Sequence, residues 1–288
     1  MYKNVWLAMV MALFLGGCSL EELERIVTTT TKQIQSPIVE GEAMIAFLDV
    51  GQGDSTLIQS EQVTILIDTG RHDSELIFSR LEEFNVDSID LLVLTHPHAD
   101  HIGNADRVIE QYEPNEVWID GNEATSRTFE RLIDVLLESE VTVNEPRAGE
   151  SYEVGDILID VLSPFELTGN LNDDSISMRI TYGDVRLLTT GDAERRSEMK
   201  MLESGSDLAA DIYKVGHHGS STSNTKEFVQ AISPEVAIYS AGKDNQYGHP
   251  HREVIALTEQ LGIDMYGTSE HGTVIIATDG ETFELSYK

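Results

Sequence analysis

Between positions 43 and 288 the chain repeatedly passes from short apolar runs to amphipathic ones. Runs of four to eight residues rich in Ile, Val and Leu predict strands at 43–48, 56–58, 63–67, 91–94, 116–119, 141–143 and 157–162. Further runs predict strands at 176–182, 185–190, 211–215, 235–239, 263–266, 273–278 and 282–287. Helical spacing appears at 74–84, where Leu76, Ile77, Leu81 and Phe84 share a side, and at 126–138, where Phe129, Leu132, Ile133, Leu136 and Leu137 do. Helices are also predicted at 104–111, 194–203 and 251–261. The Gly183-Asp184 and Asp279-Gly280 pairs join their flanking strands as two-residue hairpins. Strands alternating with helices, with hairpins at both ends, define a mixed-sheet α/β (α+β) domain over 43–288.

The first 42 residues follow another pattern. Val5 to Leu15 is an apolar run of 11 residues behind a single Lys3, short for a membrane span. Leu15-Gly16-Gly17-Cys18 then resembles a bacterial lipoprotein box. That resemblance implies a leader over 1–17, lipidation of Cys18 and a membrane-tethered, extracytoplasmic protein; a plainly cleaved signal or a short anchor is the alternative. Cys18 is the sole cysteine, so an intrachain disulfide is excluded. Residues 18–42, with a Thr run at 28–31, Pro37 and Gly41, read as a flexible tether, with a short helix possible at 20–27.

Charge narrows the partners. There are 51 acidic residues against 19 lysines and arginines, a formal net charge of −32. Such a surface repels polyanions and lacks the basic footprint usual in nucleic-acid binders.

The chemistry concentrates where strands end. The run Leu91 to Leu94 breaks into Thr95-His96-Pro97-His98-Ala99-Asp100-His101. Pro97 biases His96 toward extended backbone, so His96 and His98 can turn to one side, while Asp100 and His101 can serve a second ion. Polar loops ordinarily favour Gly, Ser and Asn over three close imidazoles. Mixed imidazole and carboxylate donors suit zinc, manganese or iron. Four other strand ends carry candidates: Asp49-Val50-Gly51-Gln52-Gly53-Asp54, Asp68-Thr69-Gly70, Gly191-Asp192 and Gly216-His217-His218-Gly219-Ser220. Gly248-His249-Pro250 lies in a loop opening the last long helix. The two glycines of the first turn allow close backbone approach, which alone does not identify a phosphate cradle. If 216–220 is extended, the adjacent histidines point opposite ways, one ligating and one facing substrate or core.

His96-x-His98-x-Asp100-His101 resembles the defining motif of the metallo-β-lactamase superfamily. Phe47 to Asp54 with Ile67-Asp68-Thr69-Gly70 and His217-His218-Gly219-Ser220 is similar to the hydrolase domain of ComEC-like competence proteins. The resemblance implies a single-domain, four-layer αβ/βα sandwich holding two divalent ions, zinc or manganese. It implies metal ligation by His96, His98, Asp100, His101, a bridging Asp192 and, of the histidine pair, His217. Asp68 is implied to be a buried organiser. Asp100, His218 and His249 are the expected catalytic residues, the histidines protonating a leaving oxygen. Asp54, Asn172, Asp173, Ser220 and Lys243 are the expected substrate contacts. One departure stands out: no histidine lies between His101 and His217, where most of the superfamily supplies one. Asn172-Asp173 occupies that place, and an oxygen ligand there would favour manganese. The implied activity is a phosphodiesterase or nuclease acting on DNA. A small-substrate phosphodiesterase such as a cell-wall phosphorylcholine esterase, a β-lactamase and a non-catalytic DNA-binding accessory protein are the alternatives.

Overall fold

The computed structural model describes residues 41–288. The expected leader, the lipidated Cys18 and nearly all of the tether lie outside the described residues. No helix within them is long and apolar enough to cross a membrane.

Six strands begin the first sheet: β1 (Ala43–Phe47), β2 (Thr56–Ser60), β3 (Thr64–Ile67), β4 (Leu91–Leu94), β5 (Glu116–Ile119) and β6 (Thr142–Asn144). Helices α1 (Leu76–Glu83), α2 (Ala105–Tyr112) and α3 (Arg127–Glu138) connect them. The second sheet follows with β7 (Ser151–Val154), β8 (Ile157–Ser163), β9 (Ser177–Tyr182), β10 (Val185–Thr189), β11 (Ile212–Lys214), β12 (Val236–Tyr239) and β13 (Asp264–Gly267). Its helices are α4 (Arg195–Ser204), α5 (Lys226–Ile232), α6 (Arg252–Leu261) and the single-turn α7 (Thr268–His271). Finally β14 (Val274–Thr278) and β15 (Phe283–Tyr287) return to the first sheet beside β1, giving the order β15-β14-β1-β2-β3-β4-β5-β6. The second sheet runs β13-β12-β11-β10-β9-β8-β7.

Strand period explains the layering. In β4, Leu91 and Val93 join the core between the sheets, where Phe47, Ile65 and Trp118 meet Ile159, Met178 and Leu187. Leu92 and Leu94, on the other face, pack with Ile77, Leu81, Val108 and Leu132 of α1 to α3. A third cluster joins Leu188, Tyr213 and Tyr239 to Met201, Phe228 and Val254 of α4 to α6. Both faces of each sheet are therefore covered, which is the four-layer sandwich. Each fully buried Leu, Ile or Phe contributes roughly 1.5–3 kcal/mol.

The strand boundaries agree with the pattern reading to within two residues at most ends. The elements not anticipated are β7, α5 and α7. Strand β7, Ser-Tyr-Glu-Val at a sheet edge, is polar on alternate positions because one side meets solvent. Strands β3 and β4 are parallel, as are β10, β11 and β12. Their carboxyl ends carry Asp68, His96, Asp192, His217 and Ser240, so one rim of the sandwich receives loops from both sheets, as open α/β sheets commonly arrange their ligand sites.

Candidate metal centre

Asp68, buried directly after β3, fixes the metal loop. Its Oδ1 accepts from the Thr95 backbone N–H at 2.8 Å, and its Oδ2 accepts from Thr95 Oγ1 at 2.8 Å and His101 Nδ1 at 2.7 Å. Thr95 Oγ1 spends its hydrogen on Asp68, so toward His96 Nδ1, 3.2 Å away, it acts as acceptor. The proton of His96 is thereby placed on Nδ1 and the lone pair on Nε2. His101 is held in the same sense by Asp68, and His218 by the Ser240 carbonyl, 3.0 Å from its Nδ1. His217 Nδ1 lies 3.1 Å from Thr222 Oγ1 and 3.6 Å from Glu194 Oε1. In all four rings an oxygen grips the outer nitrogen and leaves Nε2 free, the usual support for a metal-binding imidazole.

The inner nitrogens converge on Asp192, buried after β10. Its Oδ2 lies 3.7 Å from His96 Nε2 and 3.5 Å from His217 Nε2, and His96 Nε2 is 2.9 Å from His98 Nδ1. Its Oδ1 lies 3.3 Å from His101 Nε2 and 3.7 Å from His218 Nε2; His218 Nε2 is in turn 3.3 Å from His101 Nε2 and 3.5 Å from Asp100 Oδ2. Two overlapping donor groups result, His96, His101 and Asp192 in one and Asp100, His101 and His218 in the other, with His98 beside His96 and His217 beside Asp192 Oδ2. A tetrahedral shell with metal–ligand bonds of about 2.0–2.1 Å spaces its donors about 3.3 Å apart. The observed 2.9–3.7 Å separations match that spacing. Asp192 Oδ1 is buried without a hydrogen bond of good geometry, a cost that a cation would remove. The residues present fit divalent ions.

The electrostatics are those of a buried carboxylate among imidazoles: although burial opposes it, Asp192 with Asp68 raises the pKa of His101, and Asp192 with Asp100 raises that of His218. Burial opposes charge on Asp192, yet His101 and His218 hold its carboxyl well below the ordinary range. Asp100 is likewise held low, burial being outweighed by the His218 side chain and His101. Burial, reinforced by His101, pushes His96 well below the ordinary imidazole range and keeps it neutral, as ligation requires.

Several expectations change here. His217 and His218 are not extended: both are left-handed, with φ of 50° and 55°, inside a 3₁₀ turn over Gly216–Gly219. Neighbours in that conformation need not point apart, and both rings reach Asp192. His218, only 2% exposed, thus sits in a ligand position and not facing substrate as a free proton donor. His217 Nε2, 3.5 Å from Asp192 Oδ2, adds an imidazole to the centre where the middle of the chain supplies none. Asp173 does not take that place: its Oδ1 accepts from Ser197 N–H at 3.3 Å and its Oδ2 from Asn170. Asn172 donates to Glu194 Oε1 at 3.4 Å and so supports the partner of His217.

Asp54 is buried and paired with Lys214 Nζ, also buried, instead of lying open to substrate. Its backbone N–H donates to the Asp100 carbonyl at 3.0 Å. Gly53 makes this approach possible: a Cβ there would sit 2.5 Å from Asp100 O, so the turn braces the metal loop. Ser220 is 4% exposed, its Oγ 3.1 Å from Thr222 Oγ1, and it acts on His217 through that threonine. Lys243 is exposed on the loop after β12. His249, half-buried in the same loop, stacks on His218 with centroids 6.0 Å apart; burial and then His218, His251 and His217 push its pKa down to about 4. It therefore enters as a neutral ring at pH 7. Thr95, Glu194, Thr222 and Ser240 were not singled out from the sequence. Thr95 adjoins the histidine motif and Glu194 follows Asp192 by two, but no spacing marks Thr222 or Ser240.

Against known proteins, residues 48–243 match the sequence family described as "Metallo-beta-lactamase superfamily". ComE operon protein 3 of Bacillus subtilis is 32% identical over 66% of this chain and 24% of its own length. Competence protein ComA of Neisseria gonorrhoeae is 35% identical over 36% of this chain and 15% of its own length. The chain thus spans a quarter or less of these relatives. The metallo-beta-lactamase fold protein YhfI of Bacillus subtilis superposes with a TM-score of 0.57 at 13% identity, over 82% of this chain and all of that one, a likeness of fold.

Proposed function

From membership of the metallo-β-lactamase superfamily, to which this chain belongs, and from its metal-dependent hydrolase fold, we propose that it is a phosphodiesterase that cleaves DNA, tethered by lipid on Cys18 outside the cytoplasm. The observation that carries the reading is the placing of Asp192, whose Oδ2 faces His96 and His217 and whose Oδ1 faces His101 and His218. Two divalent ions held there would supply Lewis acidity toward both the attacking and the leaving oxygen of an in-line displacement. Similarity to competence proteins supports DNA over other phosphodiesters.

The chain's own residues have separable tasks. Asp68 and Thr95 fix the tautomers of His101 and His96, and Ser240 fixes that of His218. His249, neutral and stacked on His218, is positioned to hydrogen-bond a leaving oxygen. Lys243, exposed on the same loop, supplies a cation for a neighbouring phosphate.

The net charge of −32 favours a second reading, a small-substrate phosphodiesterase that never engages a long polyanion. Single- and double-stranded DNA, a small phosphodiester and a penicillin would be offered with Mn²⁺ or Zn²⁺. DNA cleavage that vanishes in His98→Ala is expected. Turnover of the small phosphodiester with DNA left intact would replace the nuclease by the second reading.

A further inference from the structure

We propose that Tyr247 is a stacking shelf for a nucleobase beside the scissile phosphate, and that it gives the site its preference for nucleic acid; this rests on the DNA phosphodiesterase reading above. Tyr247 is 50% exposed on the loop after β12. Its ring lies nearly parallel to His249, centroids 5.7 Å apart and planes 21° apart. His249 in turn lies 23° from parallel with His218, whose Nε2 faces Asp100 and Asp192. Three rings therefore step from solvent to the metal centre, and the outermost presents an aromatic surface.

The loop that carries this ring is ordered from within. Asn245 Oδ1 accepts from the Tyr247 and His249 backbone N–H groups at 3.2 and 3.0 Å. Asn245 Nδ2 donates to the carbonyls of Gly242 and His249 at 3.0 and 2.7 Å. His251 Nε2 lies 3.2 Å from the Tyr247 carbonyl. Gly219 lets the histidine turn pack on this loop, because a Cβ there would lie 2.6 Å from that of Pro250. A shelf already held in place loses little entropy when a ligand stacks on it.

Stacking also answers the charge problem. Every base has a π face, so the contact is tolerant of sequence and does not itself depend on charge. A chain of net charge −32 can hold a DNA strand this way near its cations while its acidic body repels the rest.

The test compares a single-stranded oligonucleotide with an abasic one of equal length and phosphate spacing, using the full chain loaded with Zn²⁺. Binding is read by fluorescence anisotropy and turnover by steady-state kinetics. Tyr247→Ala should raise Kd and KM for the ordinary strand roughly tenfold. It should leave Kd and KM for the abasic strand unchanged, and Tyr247→Phe should restore wild-type values for the ordinary strand. The tenfold effect should persist as salt is raised, since the contact carries no charge. Equal changes on both strands, or none on either, would overturn the shelf. If neither strand is cleaved the nuclease reading fails by itself, and the binding data still decide the shelf: equal wild-type affinity for the two strands would overturn it.

Discussion

Nε2 of His217 lies 3.5 Å from Oδ2 of Asp192, because the neighbouring parallel strands β10 and β11 end side by side and the left-handed turn at His217 donates its backbone N–H to the Gly191 carbonyl at 3.0 Å. This contact brings a further imidazole to Asp192, which the spacing of histidines along the chain does not announce. Asn172 Oδ1, buried without a hydrogen-bond partner, is still an available oxygen, so both zinc and manganese suit the donors present.

Asp68 sets the orientation of the metal loop without belonging to either donor group. Asp68→Asn should keep the fold but misplace the proton on His101, because an amide can no longer accept at both positions. Loss of such an outer partner typically weakens metal affinity 10–100-fold. Competition against a chromogenic chelator would measure it, and an unchanged affinity would remove Asp68 from its organising role.

The buried pair of Lys214 and Asp54 joins the β1–β2 turn of one sheet to β11 of the other. Lys214→Met should cost about 3–5 kcal/mol, because it strands a buried carboxylate. The double variant with Asp54→Leu should regain much of that loss. Denaturant unfolding of the metal-free protein would show both, and equal stability of the single and double variants would refute the pairing as the cause.

How much of this was legible beforehand follows from which signals are local. Strands such as β4 are buried on both faces, and a continuous apolar run announces them. Asp68, Asp192 and the histidine motif lie immediately beyond such runs, so they were legible too. That His218 faces Asp192 beside His217, the member of the pair expected to ligate, was not, because an extended backbone was the natural assumption and a left-handed pair leaves no composition signal beyond its flanking glycines. Asp54 and Ser220 looked like substrate contacts because polar residues in site loops do; only burial and the partners Lys214 and Thr222 reveal their bracing work.

Asp120, after β5, is a buried carboxyl with Asn122 as its partner, the amide Nδ2 donating at 2.7 Å. Burial raises its pKa to about 7 from an ordinary 3.8. The folded state therefore binds the proton more tightly than the unfolded one, and stability falls as pH rises from about 4 to about 7, then levels off. The loss is on the order of a few kcal/mol. Asp120→Asn should flatten this part of the pH–stability curve, measured as ΔG of unfolding at pH 5, 6, 7 and 8. An identical slope in both proteins would show that Asp120 does not titrate in this window.

The claim that Asp192 is shared between two ions is tested most directly by counting metal in folded protein after equilibration with Zn²⁺ and desalting. The account predicts two ions in the wild type, one in His217→Ala and one in His218→Ala, each variant losing a different ion. It predicts that Asp192→Ala weakens both. One ion in the wild type, or an Asp192→Ala variant that retains both at full affinity, would contradict it.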